Sequence, residues 1–152
     1  LDNRIISKIY KVFFNTRIMS KGTILFAEDY PSVRELFKEF FEIYFPDYTH
    51  EIFGSGSELE ERLKKGAEGI RLVLTDNQMP GITGYEIIKN YSQRNGFKEV
   101  PFVLLSSDSP NLFQLDEFPN SRYLSKFLNT KQVIPVLIEI LKSNKKVRES
   151  SQ

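Results

Sequence analysis

From Gly22 onward, short aliphatic runs alternate five times with longer amphipathic segments, and that rhythm leaves few folds open. Strands joined through helices lie parallel in one sheet, with helices covering both faces. The first run spans 23–27. After it Pro31 suits a first helical position, and Val33, Leu36, Phe37, Phe40, Phe41 and Tyr44 recur at the helical period until Pro46 stops them. A second short strand near 51–53 leads to a helix expected from Ser57. There Ser57 and Glu60 read as a capping box, Glu58/Arg62, Glu60/Lys64 and Glu61/Lys65 as i,i+4 pairs, and Gly66 as the stop. The third run, 70–75, is apolar enough for burial on both faces and runs straight into Asp76. A loop with Pro80 and Gly81 and a helix from Tyr85 to Tyr91 follow. The fourth and fifth strands are expected at 100–105 and 122–125. Between them Pro110 and Pro119 predict an abbreviated or irregular helix, and a last helix is expected over 131–143, with Pro135 near its first turn.

Length and composition narrow the chemistry. The 152 residues suit one domain, and the absence of cysteine excludes thiolate metal sites and cysteine nucleophiles. His50 is the only histidine, too few for a serine–histidine–aspartate triad with a convincing partner set or for a multi-histidine zinc site. It reads as a surface or strand-edge residue. The net charge of +1 hides two basic ends, +4 over residues 1–21 and +3 over 141–152, around a body at −6. An acidic body argues against a nucleic-acid-binding surface. No run is apolar enough for a membrane span and no signal peptide opens the chain, so the cytoplasm is the expected compartment. Residues 4–14 place Ile5, Ile9, Val12 and Phe13 on one helical stripe and Arg4, Lys8 and Lys11 on another. The expected organisation is therefore a basic amphipathic extension or linker over 1–20, a domain over 21–144 and a basic flexible tail over 145–152.

The strand ends carry the functional signal. Strand one ends in Glu28-Asp29, strand three in Asp76, strand four in Ser106 and strand five in Lys126. Open parallel sheets bind ligands beyond the carboxyl ends of their strands. Three carboxylates on one edge repel one another unless a cation lies between them, and an all-oxygen set suits Mg²⁺. Lys126 and Ser106 then call for an anion, and a phosphoryl group satisfies metal, lysine and hydroxyl together.

At these residues the chain resembles the receiver domain of two-component response regulators, over about residues 22–142. The resemblance rests on Phe26-Ala27-Glu28-Asp29, on residues 74–84 from Leu74 through Asp76 to Gly84, on Leu105-Ser106-Ser107 and on Tyr123-Leu124-Ser125-Lys126. Each is weak alone. Their order is specific, with 47 residues from Asp29 to Asp76, 30 to Ser106 and 20 to Lys126. The resemblance implies a flavodoxin-like, doubly wound, five-stranded parallel α/β sheet with helices on both faces. It implies Asp76 as phosphoacceptor and Asp29 as a direct Mg²⁺ ligand, with Glu28 nearby or through water and the backbone carbonyl of Gln78 completing the shell. Ser106 would bond the phosphoryl oxygens, Lys126 would pair with the acyl phosphate, and Tyr123 would be the aromatic switch.

The implied partners are a histidine kinase or histidine phosphotransfer protein as donor and a protein target downstream. The chain would serve as a single-domain regulator or as the receiver of a hybrid kinase, a signalling module and not an enzyme. Gln78 and Asp108, two residues beyond Asp76 and Ser106, would govern access of hydrolytic water. Three positions depart from the family pattern: Phe127 replaces the proline that usually follows the lysine, Tyr30 is a poor N-cap, and the segment before strand five is short and proline-broken. Two alternatives accompany this reading. A degenerate receiver would act as a phosphorylation-independent interaction module. An aspartate-nucleophile phosphohydrolase needs two aspartates two residues apart after its first strand, where this chain has adjacent Glu28-Asp29, and Gln78 stands two places after Asp76. The Phe-rich first helix reads as core, with Phe41 and Tyr44 as the aromatics that would extend to any partner surface.

Overall fold

A computed structural model describes residues 5, 6, 9 and 20–150. Five strands, β1 (Thr23–Ala27), β2 (Thr49–Phe53), β3 (Ile70–Asp76), β4 (Phe102–Ser106) and β5 (Ser121–Ser125), form one sheet in the order β2-β1-β3-β4-β5. Every pairing is parallel. The chain moves outward from β1 to β2, then returns past β1 to β3, so the order reverses between β1 and β3. This is the parallel sheet the alternation predicted, in the doubly wound topology the resemblance implied.

Two apolar layers sandwich the sheet. Helix α1 (Pro31–Tyr44) and the last helix, α4 (Thr130–Ser150), cover Ile24, Phe26, Leu72, Leu74, Val103 and Leu105 on one face. Helices α2 (Gly56–Leu63) and α3 (Gly84–Tyr91) cover Leu25, Val73, Phe102 and Leu104 on the other. Adjacent residues of one strand thus serve opposite layers, which is why β3 and β4 read as unbroken apolar runs. Each fully buried Leu, Ile or Phe contributes about 2–3 kcal/mol through removal from water.

Local chemistry sets the element ends, in places differently from expectation. Helix α2 starts one residue early because Ser55, not Ser57, is the cap, accepting from the Glu58 N–H at 3.2 Å. The expected i,i+4 pairs give way to other partners. Glu58 accepts from the Gly54 N–H, Arg62 pairs with Glu51 at 2.9 Å, Lys64 pairs with Glu61, and Glu60 accepts from the Tyr91 hydroxyl. Arg62 and Glu60 are drawn to tertiary neighbours, while Glu58 and Lys64 find other local partners. Helix α3 carries a reciprocal Thr83/Glu86 capping box. Between β4 and β5 the expected irregular segment is two 3₁₀ turns, Pro110–Leu112 and Leu115–Glu117.

Helix α4 runs on to Ser150, so residues 145–150, expected as a flexible tail, continue the helix. Phe41 is fully buried in the α1 layer, as the core reading of this helix expects, and of the two aromatics only Tyr44 is exposed. His50 lies half-buried on the edge strand β2, its Nε2 2.9 Å from the Phe45 carbonyl. Of the amphipathic stripe expected over 4–14, Ile5 and Ile9 are helical and exposed, and the remaining positions lie outside the described residues. No helix among the described residues is long and apolar enough to cross a membrane.

Candidate functional site

Because all five strands are parallel, their carboxyl ends share one edge, and the reversal of strand order opens a crevice there. Glu28 and Asp29 leave β1 on one side of it, and Asp76 ends β3 on the other. Ser106 ends β4, one residue beyond the Asp76/Leu105 pairing, and Lys126 follows β5. The sheet therefore gathers residues 98 positions apart in sequence at a single pocket.

Lys126 is the centre of the pocket's electrostatics. Its Nζ lies 2.9 Å from Glu28 Oε2 and 2.9 Å from Asp76 Oδ1. Glu28 is wholly buried, with Oε1 accepting from the Tyr30 N–H at 3.1 Å. Asp76 is nearly so, and Oδ1 also accepts from the Asn77 N–H at 2.7 Å. Burial pushes both carboxyls above their ordinary pKa values, more than the hydrogen bond from Lys126 pulls them down. The Asp76 charge raises Glu28 further, and the Asp29 charge does the same to Asp76. Lys126 is held above its ordinary value: burial, which alone would lower it, is outweighed by its bonds to Asp76 and Glu28.

One lysine does not balance three acids. Glu28, Asp29 and Asp76 each bring a carboxylate oxygen within 4.8 Å of the others, and Asp29 Oδ1 is buried without a hydrogen-bond partner. Leaving such an oxygen unsatisfied costs about 1–3 kcal/mol or more. A hard cation removes that cost and the mutual repulsion at once, and an all-oxygen donor set fits Mg²⁺. The residues present thus suit the ion that the sequence implied.

The remaining expected residues surround this centre. Ser106 Oγ accepts from the Asp108 N–H at 3.0 Å. Tyr123 is turned in toward the β4 end, its hydroxyl donating to the carbonyls of Asp108 at 2.6 Å and Ser106 at 3.1 Å. Its ring stacks on Phe113 at 6.4 Å. Gln78 lies in the loop after β3, and its side-chain amide donates to Asp108 at 3.3 Å, joining the two positions expected to govern water. Phe127 follows Lys126 through a trans peptide and is 82% exposed.

Three contributors escaped the sequence reading. Asn77 fastens the loop after β3, its carbonyl accepting from Gly84 and its side chain from the Tyr85 N–H at 3.1 Å. Gly84 is where α3 passes closest to the acid, since a Cβ there would overlap the Asp76 carbonyl. Arg34 reaches back from α1 to the carbonyls of Glu28 and Asp29. The only signal for Arg34 was a cation one helical turn after an uncapped acidic pair.

Comparison with known proteins agrees with this geometry. The family model described as response regulator receiver domain matches residues 24–138. The two-component response regulator ARR5 of Arabidopsis thaliana is 45% identical over 40 residues, covering 26% of this chain and 22% of that protein. ARR6 of the same plant is 41% identical over 56 residues, 36% of this chain and 30% of that protein. The matched segments thus span less than a third of those relatives. Among solved structures, a CheY-like receiver domain from Methanospirillum hungatei JF-1 superposes with a TM-score of 0.69 at 19% identity, covering 84% of this chain and 98% of that one. The receiver domain of the hybrid histidine kinase CckA gives 0.63 at 23% identity, covering 79% and 99%. At these identities the superpositions show the fold.

Proposed function

This chain belongs to the response regulator receiver domain family of two-component signalling, and from that membership we propose that Asp76 is its phosphoacceptor and that Glu28, Asp29 and Asp76 hold Mg²⁺. One observation carries the proposal: a single ammonium group contacts both Glu28 and Asp76 at 2.9 Å, beside a buried Asp29 oxygen that no group of the described residues satisfies. That is a pocket built for one more cation and for an anion that Lys126 can bind.

Asp76 Oδ1 is engaged by Lys126 and by the Asn77 N–H, and no hydrogen bond reaches Oδ2 from the described residues, which leaves Oδ2 as the nucleophile. In the transfer, an Oδ2 electron pair forms the new O–P bond while the donor's P–N bond breaks, its electron pair leaving with the imidazole of a phosphohistidine. Mg²⁺, when bound, neutralises charge on the phosphoryl oxygens. Glu28 and Asp29 would hold it with Asp76 and the carbonyl of Gln78. Lys126 moves from the carboxylate oxygen toward the acyl phosphate, retaining Glu28 as its second partner. Ser106 donates its hydroxyl to a phosphoryl oxygen. Its Oγ also holds the Asp108 N–H, and Tyr123 bonds the carbonyls of both residues, so a shift of Ser106 is transmitted directly to the aromatic ring.

The donor is a histidine kinase or a histidine phosphotransfer protein, and the readout is a protein target that senses Tyr123 and the loop around Asp108. Residues 21–144 are the receiver body of a single-domain regulator or of a hybrid kinase, working in the cytoplasm as a signalling module without catalytic turnover. Incubation with Mg²⁺ and acetyl phosphate should add one phosphoryl group by intact mass. A chain that stays unmodified refutes the phosphoacceptor function, and modification that persists in Asp76→Asn refutes the site.

A further inference from the structure

We infer that Arg34 is a positioning residue that sets the Mg²⁺ affinity of the pocket by fixing the Glu28–Asp29 backbone. The inference rests on the metal reading above. Arg34 lies in the first turn of α1, and its Nη1 donates to the Glu28 carbonyl at 2.7 Å and to the Asp29 carbonyl at 2.8 Å. One guanidinium nitrogen therefore pins two successive peptide groups, those on either side of the Asp29 Cα.

The need for this clamp follows from how the loop is otherwise held. Glu28 is fixed at three points: its N–H donates to the Phe53 carbonyl at 3.1 Å, its Oε1 takes the Tyr30 N–H, and its Oε2 meets Lys126. Among the described residues the Asp29 side chain has no comparable anchor. Its Oδ1 is buried without a partner, so the direction of that oxygen depends on the backbone beneath it. The usual means of fixing a loop at a helix start, a Ser, Thr or Asp cap, is missing, because Tyr30 occupies the cap position and makes no side-chain cap bond. Arg34 supplies the fastening from inside the helix. A carboxylate bound to a metal is only as well aimed as its support, and loss of such supporting contacts commonly weakens metal binding 10- to 100-fold.

Charge alone predicts the opposite sign. Removing a cation beside an acidic pocket would strengthen Mg²⁺ binding, whereas removing a clamp weakens it, so affinity distinguishes the two. Calorimetric titration of MgCl₂ into the metal-free full chain should give about 10- to 100-fold weaker binding for Arg34→Met than for wild type. Arg34→Lys, which still brings hydrogens to a carbonyl, should recover part of the loss. Thermal unfolding in EDTA runs alongside. Should Arg34→Met fail to fold, Arg34→Lys carries the test, with an affinity below wild type at an unchanged unfolding midpoint. Affinities within about twofold of wild type, or tighter, overturn the positioning role. Absence of Mg²⁺ binding by wild type itself refutes the metal reading, and with it this inference.

Discussion

Asn120 holds the broken connection before β5 together, and replacing it with alanine should destabilise the domain. Its Nδ2 donates to the carbonyls of Ser92 at 3.1 Å, Phe97 at 3.0 Å and Val100 at 2.7 Å, and its Oδ1 accepts from Gln93 at 2.6 Å. Ser92, Phe97 and Val100 are all buried. Two amide hydrogens serve three carbonyls, so alanine removes about two hydrogen bonds, each with a net value near 1 kcal/mol; the Phe97 carbonyl keeps the Val100 N–H, and the buried Ser92 and Val100 carbonyls lose this donor at a further cost of about 1 kcal/mol or more. The total is about 3 kcal/mol. For a domain of this size that corresponds to a fall in Tm of roughly 6–12 °C. Far-UV circular dichroism during heating reads it, with urea unfolding to confirm an unchanged m-value. Asn120→Asp should be worse, since it turns a carboxylate oxygen toward three carbonyls. Asn120 stands just ahead of the amino end of β5, away from the pocket, so below the new midpoint both variants should still accept phosphate. A loss of under about 2 °C in Asn120→Ala would mean that water replaces the amide without cost, and the hub would be an ornament of the loop.

Two further outcomes concern the acid itself. In EDTA, Asp76→Asn should raise Tm: burial lifts the Asp76 pKa in the folded state, so the fold binds that proton more tightly than the unfolded chain does. The stability tied to the raised carboxyl is present below the unfolded value near 4 and is lost as pH rises through the folded value. The advantage of asparagine should therefore be largest at neutral pH and shrink toward pH ~4; a gap that is flat with pH, or of opposite sign, refutes the account. Gly84→Ala should cost about 1–3 kcal/mol in urea unfolding and slow phosphorylation, because its Cβ displaces the carbonyl of Asp76, the proposed phosphoacceptor; wild-type behaviour would show that α3 can yield freely.

The fold was legible because it depends on periodicity. Apolar runs such as 70–75 and 102–105 survive any reasonable choice of partners, and their polar ends mark the ligand-binding edge. The site was legible for the same reason: Glu28, Asp29, Asp76, Ser106 and Lys126 are all residues at strand ends, and a parallel sheet aligns strand ends whatever the loops do. What the sequence concealed are contacts made across the fold. Glu60 and Arg62 look like members of helix pairs, yet they bond Tyr91 and Glu51, because local spacing does not show what packs alongside. Arg34 and Asn120 act on backbone carbonyls, which carry no sequence signature of their own. The continuation of α4 through Lys145 and Lys146 was hidden by composition, since a basic, serine-ended stretch reads as a tail until helical bonding is considered.

If Asp76 is the phosphoacceptor, as proposed, the charges of the pocket give a reason for its phosphorylation to act as a switch and not only as a label. With its acids ionised, Glu28, Asp29, Asp76 and Lys126 sum to −2, which a divalent cation would cancel. An aspartyl phosphate replaces one negative charge on Asp76 with about 1.5–2, so the modified pocket again carries excess negative charge. Lys126 can redirect its Asp76 contact to the phosphoryl group but brings no new charge to the pocket. The remaining donor within the expected set is the Ser106 hydroxyl, which sits on the same loop as Asp108 and beneath the Tyr123 hydroxyl. Under the proposed assignment the excess would be relieved by moving Ser106, and the hydrogen bonds that tie Ser106 and Asp108 to Tyr123 would carry that movement to the aromatic ring.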